Sequence, residues 1–291
     1  MSNAINYAQK YERELDQLIR QQAITSDLET PNVNWLDART FHIPTVSVSG
    51  YKTHSRNGGY NRGTVTTVNE PYTLTFDRDI EFFVDKADVD ESNQVASAGN
   101  ITKIFLTENA IPEIDAYRLS KIATRAIAEA QSSTTTLDTS NIFSELKKAL
   151  LPVRKYGPGN IITYVSSEVM DLLERSEDFT RKIEVTNNNN TIETRVTNID
   201  GVMLKEVWDT ARFHTAFNFT DGFVPTASSK EINFLIAAKQ SIVAKPKISS
   251  IYLFAPGQHT QGDGYLYQNR LYNDLFVKKN KTDGIFVNTK A

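Results

Sequence analysis

Apolar positions in the first two dozen residues recur at helical steps. Ala8, Tyr11, Leu15, Leu18 and Ile19 are separated by charges, which predicts an amphipathic helix over 3–24. Residues 25–44, with Pro31, Asn32, Asn34 and Pro44, follow neither period and predict an extended arm laid on another surface. From Thr45 the period changes to two. Val46 and Val48 alternate with Ser47 and Ser49, and Val65, Val68, Leu74 and Phe76 lead into Ile80 to Val84, which predicts a long hairpin. Its tip, Arg56-Asn57-Gly58-Gly59-Tyr60-Asn61-Arg62-Gly63, is rich in residues that tolerate positive φ. Arms of about 13 residues at ~3.3 Å each would reach about 40 Å, against an expected radius of gyration of ~19 Å. Such a hairpin either projects from the body or folds back as a meander on its own domain, and the polar tip favours projection.

Residues 95–131 carry the longest helical stripe, Ile101, Ile104, Phe105, Ile111, Ile114, Leu119, Ile122, Ala126 and Ile127. Pro112 lies inside it and lacks a backbone donor, so two helices or one kinked rod is expected. A polar link at 132–140 precedes a mixed segment. There the pattern predicts a helix over 141–151, a strand over 161–165, a helix over 167–175 capped by Ser166, an extended hairpin over 181–196 and a strand over 201–207. The carboxy third predicts strands at 232–237, 248–254, 265–277 and 285–287, with turns at Gly262-Asp263-Gly264 and Thr282-Asp283-Gly284. Helices and strands do not alternate as βαβ units, so the fold class is α+β.

The chain has 291 residues, enough for about two domains with a buried core. With 32 Lys and Arg against 35 Asp and Glu, the net charge of −3 gives no global attraction to nucleic acid or an anionic membrane. Charge is segregated locally. Residues 51–63 carry Lys52, Arg56 and Arg62 with no acid, whereas 77–91 carry Asp77, Asp79, Glu81, Asp85, Asp88, Asp90 and Glu91 against Arg78 and Lys86. A solvated surface is the ordinary reading of any charge run. A basic tip and an acidic root on one hairpin cannot meet within one chain, however, so they also suit head-to-tail contact between identical subunits.

Most chemistry lacks residues to carry it. The absence of cysteine excludes disulfides, thiolate metal sites and a cysteine nucleophile. No Gly-x-Gly-x-x-Gly, phosphate loop or Gly-x-Ser-x-Gly elbow occurs. His42, His54, His214 and His259 are far apart and none has a ligand partner at helical spacing. Asp85, Asp88 and Asp90 sit at the wrong offsets for a calcium loop. The amino terminus carries Lys10, Glu12, Arg13, Glu14 and Asp16 where a secretory signal needs an apolar core, and no window approaches the ~20 apolar residues of a membrane span. No catalytic, cofactor-binding or metal-binding residue is assigned, and the chain is not expected to be an enzyme.

The order of elements resembles the major capsid protein of tailed bacteriophages, the Hong Kong 97-like coat fold. Two blocks carry the likeness. Ile111-Pro112-Glu113-Ile114-Asp115-Ala116-Tyr117-Arg118 looks like the start of the spine helix in one siphophage coat subgroup. Gln261-Gly262-Asp263-Gly264-Tyr265 through Arg270-Leu271-Tyr272-Asn273-Asp274-Leu275-Phe276-Val277 is similar to the closing strands there. The resemblance implies an N-terminal arm at 1–44, an E-loop hairpin at 45–84, a P domain with the spine helix at 85–135, an A domain at 136–245 and return strands of the P domain at 246–291.

It further implies an icosahedral head shell of hexamers and pentamers of this one chain, enclosing double-stranded DNA without base recognition. The implied location is the virion, with assembly in the host cytoplasm. Implied partners are a portal protein, a decoration protein and, with some 44 residues ahead of the hairpin, a separate scaffolding protein. Lys52, Arg56, Arg62, Asp77, Asp79, Glu81 and Asp85 are the candidate inter-subunit residues. Lys52 also lies near the Lys that a few members cross-link to Asn, although nothing else in the sequence supports that chemistry. Two other readings stand beside this one: an encapsulin-type nanocompartment shell, and a hydrolase or carbohydrate-binding module on a β-rich scaffold.

Overall fold

The computed structural model of the chain describes residues 23–30, 40–54, 58–87, 98–176 and 198–291. Of the helix expected over 3–24, residues 3–22 lie outside the described residues, as do the hairpin expected over 181–196 and Arg56, Asp88, Asp90 and Glu91; Ala23 is extended and Ile24 opens a 3-10 segment instead. In chain order, a short 3-10 segment at Ile24–Leu28 precedes strands β1 (Thr40–Val48), β2 (Val65–Thr73) and β3 (Phe76–Asp85). Helix α1 (Ala98–Phe105), a π turn at Leu106–Ala110 and helix α2 (Ile111–Ala128) follow without a break. Next come β4 (Ser132–Ser133), α3 (Ile142–Leu150), β5 (Ile161–Ser166), α4 (Ser167–Arg175), β6 (Asn198–Ile199) and β7 (Val202–Val207). The chain closes with β8 (Phe217–Asn218), β9 (Val224–Pro225), β10 (Ile232–Ala238), β11 (Ile242–Phe254), β12 (Gly264–Val277) and β13 (Ile285–Thr289).

The strands form a six-stranded sheet in the order β4-β13-β10-β5-β7-β6, a three-stranded sheet β11-β12-β3, and the two-stranded ribbons β1-β2 and β8-β9. Strands β5 and β10 lie in the middle of the larger sheet and are buried along their whole length, which explains why apolar residues occupy both faces of each. Leu119, Ile122, Ala123 and Ala126 of α2 cover one face of this sheet, against Tyr164, Leu235 and Val287. Helices α3 and α4 cover the other through Leu146, Leu150, Val169 and Leu173. Ser166 caps α4 by accepting from the Val169 amide, as its position before the apolar stripe predicts.

The helical rod over 98–128 serves both sheets. Its first part packs on the three-stranded sheet, where Phe105 and Leu106 meet Ile80, Phe82, Ile251 and Tyr267, and its second part packs on the six-stranded sheet. Of the two arrangements expected from Pro112, the single rod is the one found. The π turn lies immediately ahead of the proline, where the missing amide and the ring would otherwise disturb the bond to Glu108.

Three sequence expectations need correction. The hairpin begins at Thr40 rather than Thr45 and ends at Thr73 rather than Val84, because β3 leaves it and pairs antiparallel with β12 from Asp85↔Gly264 to Phe76↔Asn273. Gly264 is required there, since a Cβ would fall 2.3 Å from the Val84 carbonyl oxygen. The closing residues 246–291 do not all return to one sheet: β11 and β12 join β3, whereas β13 pairs with β10 in the six-stranded sheet.

The arm expected over 25–44 also has more structure than its pattern suggests. The 3-10 segment is pinned to α2 by Asp115, whose wholly buried carboxylate accepts from the Ile24 amide at 3.1 Å, the Thr25 amide at 3.1 Å and the Thr25 hydroxyl at 2.7 Å. Arg118, 2% exposed, donates to Thr25 Oγ1 at 3.2 Å and to Glu29 at 2.8 Å. Lys205 pairs with Asp27, and Leu28 completes the core.

Candidate assembly interface

The β1-β2 ribbon is anchored at one end only. Phe41, Tyr72 and Leu74 pack with Val243 and Tyr272, and the Tyr272 hydroxyl donates to the Leu74 carbonyl at 3.0 Å. The Phe41 and Tyr72 rings stack at 5.6 Å, and burial together with Glu70 pushes the Tyr72 phenol up to about 12. Beyond this base both faces are exposed. The register from Thr40↔Thr73 to Val48↔Val65 puts Val46, Val48 and Val65 on one face, and they are 59%, 70% and 70% exposed. The ribbon therefore projects, over strands of ~30 Å rather than about 40 Å. Pro44 and Pro71, one on each strand, remove donors from its edges and discourage further strand addition.

The loop at the tip is tied across itself. Lys52 Nζ donates to the Arg62 carbonyl at 3.0 Å and Asn61 Nδ2 to the Thr53 carbonyl at 2.8 Å. Gly59 takes a left-handed φ of 70°. Lys52 and Arg62 are thereby brought together on an exposed loop beside the fully exposed rings of Tyr51 and Tyr60.

Asp77, Asp79, Glu81 and Asp85 alternate with inward residues along β3, so they share the sheet face turned away from the helical rod. They are not all open to a partner. Arg270 grips Asp77 at two points, Nε to Oδ1 at 3.0 Å and Nη2 to Oδ2 at 2.7 Å. Gln268 donates to Glu81 at 2.6 Å, and Asp85 accepts from the Ala87 amide at 2.8 Å. Asp79 lies between Asp77 and Glu81 on the same exposed face.

Two clusters outside these expectations fix the elbow where the chain leaves the ribbon for the sheet. Asp274 accepts from the Thr75 amide at 3.0 Å, the Tyr117 hydroxyl at 2.7 Å and Lys121 at 2.9 Å. Burial and the neighbouring carboxylate drive the Tyr117 phenol well above its ordinary range. Arg78 donates to Glu113 at 2.6 Å and to the Phe219 carbonyl, joining β3, α2 and the β8-β9 ribbon. These partners lie up to 199 residues apart, so no local pattern could have found them.

Among the described residues no group of three or more His, Asp or Glu side chains converges to hold a metal ion. No helix among them is long and apolar enough to cross a membrane.

No protein-family model matches the chain, and no curated protein matches it. Solved structures do. The capsid structure of the cyanophage P-SCSP1u superposes with a TM-score of 0.61 at 11% identity, covering 92% of this chain and 88% of that one. The asymmetric unit of the bacteriophage PhiM1 mature capsid gives 0.60 at 15% identity, covering 87% and 82%. A virus-like particle from Pyrococcus furiosus gives 0.51 at 10% identity, covering 97% and 99%. Given the α+β architecture, the projecting ribbon and the rod shared by two sheets, the chain has the Hong Kong 97-like fold of tailed-bacteriophage major capsid proteins.

Proposed function

We propose that the chain is a major capsid protein that assembles through hexamers and pentamers into an icosahedral phage head around double-stranded DNA. The observation that carries this reading is the β1-β2 ribbon, which stands clear of the body with Val46, Val48 and Val65 uncovered on one face. Exposed apolar surface of this kind marks an interaction site, and a repeated shell supplies a neighbour for it in every subunit. In this reading the ribbon over 40–73 is the E-loop. The three-stranded sheet with the rod is the P domain, and the six-stranded sheet with α3 and α4 is the A domain. The scaffolding, portal and decoration proteins enter with the same reading, as do assembly in the host cytoplasm and the absence of catalysis.

The tip cations Lys52, Arg56 and Arg62 would meet acids of a neighbouring subunit. Asp79 is better placed than Asp77, which Arg270 already holds, and than Glu81 and Asp85, which Gln268 and the Ala87 amide engage. Replacing Val48 and Val65 together by Asp tests the ribbon's part. The variant should keep its circular dichroism spectrum and lose particles, and particle yield equal to wild type would refute the role.

An encapsulin-type compartment is the second reading, motivated by the match to the Pyrococcus furiosus virus-like particle over nearly the whole of both chains. The lower TM-score of that match, 0.51 against 0.61 and 0.60, favours the phage head. Nuclease-protected DNA inside purified particles supports the head, and an enclosed cargo protein supports the compartment.

A further inference from the structure

The chain crosses between its two larger sheets from β10 to β11 and again from β12 to β13, and each crossing is a 3-10 turn, at Lys239–Ser241 and at Lys279–Gly284. The two turns pack against each other. The Lys278 amide donates to the Ser241 carbonyl at 2.8 Å, and the Lys281 amide to the Lys278 carbonyl at 3.0 Å. Gly284 lies so close to Ser241 that a Cβ there would overlap its Oγ. This seam is a rigid mount for four cations, Lys239 on one turn and Lys278, Lys279 and Lys281 at the other.

The acids that could balance them are taken. Asp283 is the one acid in either turn, and Lys155 and Tyr156 already hold it. Tyr72, whose phenol meets the Lys279 amide, donates its hydroxyl to Glu70 at 2.8 Å. Among the described residues no ion pair reaches Lys239, Lys278, Lys279 or Lys281. Lys278 is half-buried, and burial together with the charge of Lys281 holds its amine below the ordinary lysine range. Folding therefore gathers like charges against their own repulsion, and a polyanion laid across them would relieve it.

We propose that this lysine seam is where the subunit touches nucleic acid, through the phosphates of double-stranded DNA. The inference rests on the shell reading above and assigns the surface that makes the contact. A net charge of −3 gives the chain as a whole no attraction for DNA, so any contact has to be local. A phosphate backbone fits the seam better than an acidic protein does. A protein partner needs an apolar centre, and among the described residues none of the large exposed apolar side chains lies in either turn. The exposed neighbours of the lysines are Gln240 and Asn280. Lysine also brings point charges rather than a fork for base edges, which suits binding without sequence preference.

The test is binding of a short random-sequence DNA duplex to the unassembled full chain, titrated across salt. It compares wild type, Lys279→Gln with Lys281→Gln, and Lys279→Arg with Lys281→Arg. Both variants should keep the circular dichroism spectrum. The slope of log affinity against log salt should become shallower by about 1.8 in the Gln pair, the counterions of two phosphate contacts, and stay at the wild-type value in the Arg pair. A wild-type slope from the Gln pair, or no salt-dependent binding by wild type, would overturn the contact. So would a Gln pair that loses binding to poly-glutamate and keeps binding to the duplex, which would assign the seam to an acidic protein. Sedimentation separates this from the shell reading. Closed particles from a Gln pair with wild-type duplex affinity would overturn the contact alone, whereas a wild-type chain that binds the duplex and never leaves the monomer state would overturn the shell reading alone.

Discussion

The Tyr117 hydroxyl donates to the buried Asp274 carboxylate at 2.7 Å, fastening the helical rod to β12 at the level where the ribbon begins. Thr75, the link between β2 and β3, donates to the same carboxylate through its amide at 3.0 Å and its hydroxyl at 3.1 Å. The direction of the projecting ribbon is therefore set by a hydrogen-bonded hub rather than by a flexible joint.

Tyr117→Phe should cost only about 1 kcal/mol, because Lys121 and the Leu275 amide still satisfy the oxygen it leaves. Asp274→Ala should cost about 3 kcal/mol or more, since it strands the buried Tyr117 hydroxyl and the Thr75 donors together. Denaturant unfolding of the two variants measures the difference. Equal losses would show that the carboxylate is not the hub.

Removing Asp115 should release the segment at 23–30. Its carboxylate satisfies two backbone amides and the Thr25 hydroxyl and balances Arg212 at 3.3 Å, so Asp115→Ala strands those donors and leaves Arg212 to its longer contact with Asp209 at 3.4 Å. A loss of ~3–5 kcal/mol is expected, accompanied by faster hydrogen exchange at Ile24 and Thr25. Unchanged exchange at those amides would mean that Leu28 and Ala23 hold the segment without the charges.

Stability should also carry a pH signature from Glu113. Burial raises its pKa, and the Arg78 guanidinium offsets this only in part. The folded state then binds the proton more tightly than the unfolded chain, so this group's contribution falls as pH rises through the window above the ordinary glutamate value. Thermal unfolding of wild type and Glu113→Gln from pH 4 upward should show wild type losing ground to the variant as pH increases. Parallel curves would contradict a raised Glu113.

Much of this architecture was legible wherever a single period ran between clear punctuation. Ser166 before the stripe Val169, Met170 and Leu173 marks α4 to the residue, and the predominantly apolar runs of β5 and β10 mark central strands. The break between β2 and β3 was not legible. Thr73-Leu74-Thr75-Phe76 continues the alternation without Gly, Pro or Asn, so nothing local signals that the chain changes partner. The same limit applies to the acidic stripe. Its spacing reveals one face of a strand, but only the fold brings Arg270 across from 193 residues away to occupy Asp77.

The central claim is that this chain exists to meet copies of itself. Sedimentation of the full-length protein, expressed alone and with a co-expressed scaffolding protein, with negative-stain images of the fastest fraction, tests it most directly. The account predicts closed particles, or hexamers and pentamers, in at least one of the two conditions. A sharp monomer boundary across concentrations in both would contradict it.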